Sequence, residues 1–419
     1  MNLIKLSWKH LTFRPLSTGL NVFLLALGLA IITVLLLIQD QFEKKMNQDS
    51  AGIDLVVGAK GSPLQLILAG VYHIDFPTGN IPMDEAQKLS RNRLVKNIIP
   101  MALGDNYQGF RIVGTNHDYV SLYDASLESG ELWQKPFEVV LGAEVAAKSA
   151  YNVGDEFLGS HGISIGSHEH DANRFKVVGV LNSKGNVLDR LILTSIESIW
   201  YTHDEGEAEK TDTTGNHNQH VIDLTKTVAS KGFPKTTESR DLTTLLIQYR
   251  NPMAAIQLPR MINSGTSMQA ASPSFEMARL FELLGVGITL LQGLAVVIIG
   301  ISGLGIFIAL YNSLKERKYD LAILRAIGAS RGQLLLLIFL EGIMLTLMGA
   351  VLGILLGHTF LSVIISQNEQ GVVGALHPWI FLKQELWIVV YALSVGVLAS
   401  IIPAFAAYQT SIAKQLTKA

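Results

Sequence analysis

Apolar and polar positions divide the chain into four long hydrophobic runs and one long interval of mixed character. A helix needs about 20 apolar residues to cross a bilayer, and Leu20 to Ile38, Leu283 to Leu310, Leu334 to Ile365 and Leu386 to Tyr408 meet that requirement. The interval from 39 to 282 has shorter periods. In it "FEVVLGAEVA" and "FKVVGVL" read as strands, "LDRLILTSIESIW" runs from a strand into a helix, and "PMDEAQKLSRN" looks like a capped helix. The run Leu64 to Val71 suits a helix or a strand; it lies in "DLVVGAKGSPLQLILAGVYHIDFPTGNIP", residues 54 to 82. That stretch reads as a buried structural turn, or as a membrane-proximal element that touches a substrate or partner. The expected fold is an α-helical membrane protein with four transmembrane helices, one plus three, and a large α/β domain between helices one and two.

Composition fits a chain that is part bilayer and part water. Of 419 residues, 49% are hydrophobic and 16% charged. The net charge of -2, with no basic stripe interleaved with aromatics, gives no reason to expect nucleic acid. The absence of cysteine excludes disulfides and thiolate metal sites. Lys5, Lys9 and Arg14 precede the first run, which makes a cleaved leader one reading of it. Its long apolar core and the following "LIQDQFEKK", without a small-residue cleavage site, favour a retained anchor.

Basic residues near helix ends set orientation. Lys5, Lys9 and Arg14 lie before helix one, Lys315, Arg317, Lys318, Arg325 and Arg331 between helices two and three, and Lys414 and Lys418 after helix four; the loop 366–385 holds only Lys383. Both termini are therefore expected in the cytoplasm and the α/β domain outside it. The strip "KERKYDLAILRAIGASRGQ", 315 to 333, carries Leu321, Leu324 and Ile327 at three-residue spacing, with Lys318 and Arg325 available to water and Gly328 as a stop. It reads as an amphipathic helix on the membrane surface, either resting in lipid headgroups or serving as a docking knob for a cytoplasmic partner.

The stretch "LKERKYDLAILRAIGASRGQLLLLIFLEGIMLTLMGAVLGILLG", 314 to 357, resembles the signature of the MacB/FtsX-like permeases, the membrane subunits of ABC systems that act by mechanotransmission. The terminal "PAFAAYQTSIAKQL" and the pair "VVLGAEVAAKSAYNVGDEF" and "FKVVGVL", similar to the MacB-type periplasmic core domain, extend the resemblance. It implies nine segments: a cytoplasmic amphipathic segment (1–19), helix one (20–38), the extracytoplasmic α/β domain (39–282), helix two (283–310), a cytoplasmic coupling helix (311–333), helix three (334–365), a short outer loop (366–385), helix four (386–408) and a cytoplasmic tail (409–419). By resemblance, Lys315, Glu316, Arg317, Leu321, Leu324, Arg325, Ile327, Gly328 and Arg331 couple to a cytoplasmic ABC ATPase. The location implied is a bacterial inner membrane, and the partners are that ATPase, a second permease copy, membrane lipid, and a periplasmic adaptor or outer-membrane duct. No GxxxxGK[ST] occurs, and "GAKGSP" lacks the spacing to cradle phosphates. ATP and magnesium are thus expected on the partner, and this chain is expected to be no enzyme by itself.

Three further groups stand out. Gly349, Gly353 and Gly357 recur every four residues and let another helix approach; the face is internal packing or a contact with a second copy. Glu341 lies two turns inside helix three, where an unpaired carboxylate is costly. It pairs with Arg325 or Arg331, or it transmits movement of the strip. His358, near the other end, reads as interfacial, and no run of polar residues lines a pore. His161, His168 and His170, in "HGISIGSHEHDANRF", carry ligand chemistry suited to zinc, although a hydrophilic loop rich in these residues needs no metal. Export of a periplasmic or membrane-derived substrate, extraction of lipoprotein, and activation of an extracytoplasmic enzyme without cargo all fit this layout.

Overall fold

The computed structural model describes residues 3–161, 174–202, 227–236, 239–367 and 376–409. They form two compact units, Lys44–Phe281 and Met1–Glu43 with Glu282–Ala419. The chain opens with α1 (Leu3–Phe13) and α2 (Pro15–Asp49) and closes with α9 (Pro273–Glu316), α10 (Lys318–Ala326), α11 (Arg331–Gln367) and α12 (Glu385–Tyr408). Between them come β1 (Leu55–Ala59), α3 (Pro63–Gly70), β2 (Ile81–Pro82), α4 (Met83–Ser90), β3 (Val95–Tyr107), β4 (Phe110–Gly114), α5 (His117–Leu122), β5 (Leu127–Gly130), β6 (Glu138–Leu141) and α6 (Ala143–Ser149). Then follow β7 (Glu156–Phe157), β8 (Ser160–His161), β9 (Phe175–Leu181), β10 (Leu191–Thr194), a helix over 196–202 (α7), β11 (Asp241–Leu242), β12 (Thr244–Tyr249), α8 (Ala254–Gly265) and β13 (Met268–Ala271).

In the α/β unit the main sheet runs β13-β1-β12-β3-β4-β10-β6-β9-β5, while β2 and β11 form a separate ribbon. β3 and β4 make a hairpin in which Tyr107 faces Phe110; Gln108 and Gly109 both have positive φ, as a two-residue primed turn requires. β4 pairs β10 in parallel and β6 pairs β9 in parallel, so their connections must cross the sheet, and helices such as α5 and α6 do so. Leu64 to Val71 resolves as helix: Ser62 caps it and Pro63 occupies the first helical position. Gly58 and Gly70 let the layers close up, since a Cβ there would fall 2.4 Å from Leu66 Cδ1 and 2.7 Å from Thr244 Cγ2.

The last turn of α2 is fastened into this unit by polar groups. Asp49, wholly buried, pairs with Lys45 at 3.5 Å and Arg190 at 3.4 Å. Its carbonyl accepts from the Tyr123 hydroxyl, and Lys45 Nζ donates to the Gly185 carbonyl at 2.6 Å. Tyr72 donates to the Met46 carbonyl, and beside it His73 Nε2 meets the Tyr119 hydroxyl at 3.1 Å.

In the other unit α2, α9, α11 and α12 are each long and apolar enough to cross a membrane. α11 buries one stripe: Leu334, Leu337, Glu341, Leu345, Gly349, Gly353, Gly357 and Leu361 recur at three- and four-residue steps. α9 instead leaves a stripe open, with Leu290, Leu294, Val297, Ile301, Leu304 and Ile308 all exposed. The expected fold class, four such helices with an α/β domain between the first and second, is the one observed.

Candidate functional site

The strip between α9 and α11 is shaped by local chemistry at both of its ends. α10 stops in a Schellman motif: Gly328 takes φ 112°, its N–H donates to the Arg325 carbonyl and the Ala329 N–H donates to the Leu324 carbonyl. Two residues later α11 starts with a capping box. The Ser330 N–H donates to Gln333 Oε1 at 2.8 Å while the Gln333 N–H donates to Ser330 Oγ at 3.2 Å. "GASRGQ" is therefore a stop and a start written back to back, and it fixes an elbow at Ala329.

At its other end the strip breaks from α9 at Arg317, with φ -100° and ψ 15°. Sharp breaks in helices usually trace to proline or glycine, and neither is present from 306 to 327. Arg317 is instead drawn inward. Its Nη2 donates to the His10 carbonyl at 3.3 Å, and its Nη1 lies 3.8 Å from Glu341 Oε1. Burial pushes the guanidinium down from its ordinary value, opposed by the neighbouring Glu341 charge.

Glu341 is 2% exposed, and its Oε1 lies 2.6 Å from His10 Nδ1. The expected partners, Arg325 and Arg331, are not the ones it meets: Arg331 lies over the Tyr408 ring, and Arg325 is half-buried on α10. The reason is direction. Glu341 projects from the buried stripe of α11, and the groups that reach that stripe come from α1 and the α9–α10 break. Sequence reading missed His10 as a partner, although a signal was there. Leu3, Leu6, Ser7, His10 and Leu11 form the covered stripe of α1 at helical spacing, and Arg14 follows just past its end. Ser7 Oγ donates to the Leu337 carbonyl at 3.4 Å, and Arg14 pairs with Glu316.

The three-residue spacing of Leu321, Leu324 and Ile327 falls back about 60° per step on a helix of 3.6 residues per turn, and the three part company. Leu321 is buried against Leu314, Leu334 and Leu337, Leu324 is half-buried there, and Ile327, beyond the last turn, is 79% exposed. The outward face of α10 carries Tyr319, Ile323 and Ile327, four residues apart, flanked by exposed Lys315, Lys318 and Asp320. Apolar side chains thus point away from the bundle where polar ones were expected to dominate.

The glycine stripe is filled from within the chain. A Cβ at Gly349 would fall 2.7 Å from Leu25 Cδ2, at Gly353 2.8 Å from Leu29 Cβ, and at Gly357 2.8 Å from Thr33 Cβ. α2 of the same chain occupies the face, so of the two readings it is internal packing, and not a contact with a second copy, that the geometry matches. A second close crossing went unread: at Gly342 and Gly396, α11 and α12 approach so nearly that a Cβ on either would meet the other's carbonyl at about 3 Å.

His358, expected near the interface at the other end of helix three, is fully buried among protein groups there. Its Nδ1 lies 2.6 Å from the Pro378 carbonyl, its Nε2 3.2 Å from Glu385 Oε2, and Trp379 and Phe381 pack on its ring. Gln41 of α2 clamps the backbone of His377 through both its amide atoms. Glu341 and His358 are 17 residues apart on α11, about 26 Å of rise and close to the thickness of a hydrocarbon core. Each end of the bundle thus holds one carboxylate–histidine clasp.

Of the candidate metal ligands, His168 and His170 lie outside the described residues, and of His161 only its place in β8 is described. "GISIG" at 162–166, a formal match to the G-x-S-x-G spacing, lies outside them too, as do residues 203–226. Among the described residues no group of three or more His, Asp or Glu could hold a metal ion.

A multi-pass helical protein with an α/β domain between its first two spans is the class that this architecture defines. Comparison with known proteins is more specific: residues 18–232 match the MacB-like periplasmic core domain, and 293–412 match the FtsX-like permease C-terminal family. The chain belongs to the ABC transporter permeases of the MacB/FtsX type. An uncharacterized ABC transporter permease of Methanocaldococcus jannaschii is 23% identical over 233 residues, 55% of this chain and 52% of that one. The pyoverdine export ATP-binding/permease protein PvdT of Pseudomonas savastanoi pv. phaseolicola is 22% identical over 369 residues, 85% of this chain and 51% of its own. The chain thus spans about half the length of the curated relatives it matches. Among solved structures, the periplasmic region of MacB from Actinobacillus actinomycetemcomitans aligns with a TM-score of 0.33 and 12% identity, covering 56% of this chain and 97% of that one. The extracellular domain of YknZ, a noncanonic ABC-type transporter from Gram-positive bacteria, aligns with a TM-score of 0.30 and 12% identity, covering 52% and 99%.

Proposed function

We propose that this permease converts the ATP cycle of a cytoplasmic ABC ATPase, lying outside these 419 residues, into movement of its extracytoplasmic α/β domain, and that the ATPase docks on the outward face of α10. The observation that carries the reading is the apolar row Tyr319, Ile323 and Ile327, held outward on a helix fixed at both ends. A mobile lipid-resting helix needs no such fixing. The absence of a GxxxxGK[ST] loop supports an ATPase outside this sequence, with ATP and magnesium bound there. Basic residues around the strip support an inner-membrane orientation with the strip and both termini in the cytoplasm.

A second copy of the permease completes the assembly. Since α2 fills the glycine stripe, the open stripe of α9 is the face we assign to it. The work done by the α/β domain is export of a periplasmic or membrane-derived substrate, with an adaptor or outer-membrane duct as receiver. The likeness to a protein named for pyoverdine export favours export over lipoprotein extraction and over signalling to an extracytoplasmic enzyme.

Affinity purification of the tagged protein from its native membrane, with co-purifying proteins identified by mass spectrometry, tests this. A Walker-type ATPase should be recovered with the wild type and lost with Ile323→Asp, on the outward face of α10. Recovery of no ATPase under mild conditions would leave α10 as a helix that rests in lipid. An adaptor among the co-purifying proteins supports export, and a hydrolase in its place supports signalling.

A further inference from the structure

Glu341 is buried on α11 yet faces two other elements at once, α1 through His10 and the α9–α10 break through Arg317. Arg317 also donates to the His10 carbonyl, so the three residues close a triangle within the one chain. The break of the helix at Arg317 has no glycine or proline to cause it. What is special about the position is that its guanidinium is the one drawn to Glu341. From this geometry we infer that Glu341 is a positioning residue: with Arg317 and His10 it creates the α9–α10 break, sets the direction in which α10 presents its outward face, and ties any displacement of α10 to α1.

This rests on the docking role proposed for α10 in its significance, though not in its geometry. Three features give the clasp its sharpness. The carboxylate is almost wholly removed from water, so losing its charge partner is costly and losing its charge frees Arg317 to return to solvent. Leu3 and Leu6 of α1 lie in one apolar cluster with Leu314, Leu321 and Leu334, so α1 and the first turn of α10 share a packed layer beside the clasp. Finally, the elbow at Gly328 to Ser330 is fixed locally by its Schellman motif and capping box, which leaves the Arg317 end as the point where the angle of α10 is set.

The chain has no cysteine, so spin labels can be placed singly or in pairs on the full-length protein in nanodiscs, without the ATPase. Phe13→Cys and Ala326→Cys, both exposed, report the position of α10 against α1. Leu20→Cys and Leu398→Cys, exposed on α2 and α12, report the bundle. The inference predicts one narrow α1–α10 distance in the parent and in Glu341→Asp. In Glu341→Gln the width roughly doubles as the charge partner is lost, with the bundle pair unchanged. Arg317→Ala, which alters the other side of the same contact, gives the same broadening and serves if Glu341→Gln does not fold. An α1–α10 distribution equally narrow in both variants overturns the inference, as does equal broadening of both pairs, which marks general loosening. ATPase capture by the parent protein is scored separately: its absence removes the docking role of α10, whereas the distances judge the clasp on their own.

Discussion

A carboxylate inside a helix bundle stays only where something answers its charge, and Glu341 shows how far sequence carries that argument. Its cost inside α11 was legible, and so was the need for a basic partner. The identity of the partner was not, because helical spacing relates residues within one element and says nothing of which other element packs on its face. His73 presents the same limit in the α/β domain. Nothing in "VYHIDF" announces a histidine desolvated against Tyr119, yet burial pushes it down to about 3 from the ordinary 6.5, with Arg111 and Arg190 adding to the shift. The unfolded chain therefore takes up a proton at His73 before the folded one does. Its contribution to stability is complete above about 6.5 and drains away as the pH falls toward about 3. Amide exchange of α5 in the wild type should accelerate through that window more steeply than in His73→Gln. Equal slopes would show that other groups set the acid sensitivity.

Elements were read well wherever their rule is local. The strand patterns located β6 and β9, although the second half of "FEVVLGAEVA" turns after Gly142 into helix α6; α4 was legible as a helix and Gly328 as the stop of α10, whereas Leu64 to Val71 stayed open between helix and strand. What sequence left open was which face of an element meets which neighbour. The glycine stripe was visible, but its occupant could be α2 of the same chain or a helix of another. Gly353→Leu drives a side chain into Leu29 and Ala26 and should cost about 3 kcal/mol, the upper range of overpacking. It is to be read as a lower midpoint in detergent unfolding, while dimer formation is retained. Loss of the dimer with unchanged unfolding would return the stripe to the intermolecular contact. On α9 the expectation is reversed. Val297→Cys, exposed on the open stripe, should form an intermolecular disulfide under mild oxidation in native membranes. Phe360→Cys, exposed on α11, should not; cross-linking at Phe360 alone would move the dimer face.

For the whole molecule, hydropathy alone located four membrane helices and the interval between the first two, since length and apolar content suffice for both. The proposed function rests on the strip. Its resemblance to a coupling segment was legible, but which of its residues point outward was not. The structure turns Leu321 and Leu324 inward and Tyr319, Ile323 and Ile327 outward. A change such as Leu324→Asp therefore disturbs packing, and the outward residues are the ones that test docking.

The most direct measurement is to place a photo-cross-linking residue at Ile323 in the living cell and identify what it captures, with Phe360 as the control position. Capture of a Walker-type ATPase from Ile323 and not from Phe360 is the result this account predicts. Cross-links from Ile323 to lipid alone, in cells that contain the ATPase, would contradict it.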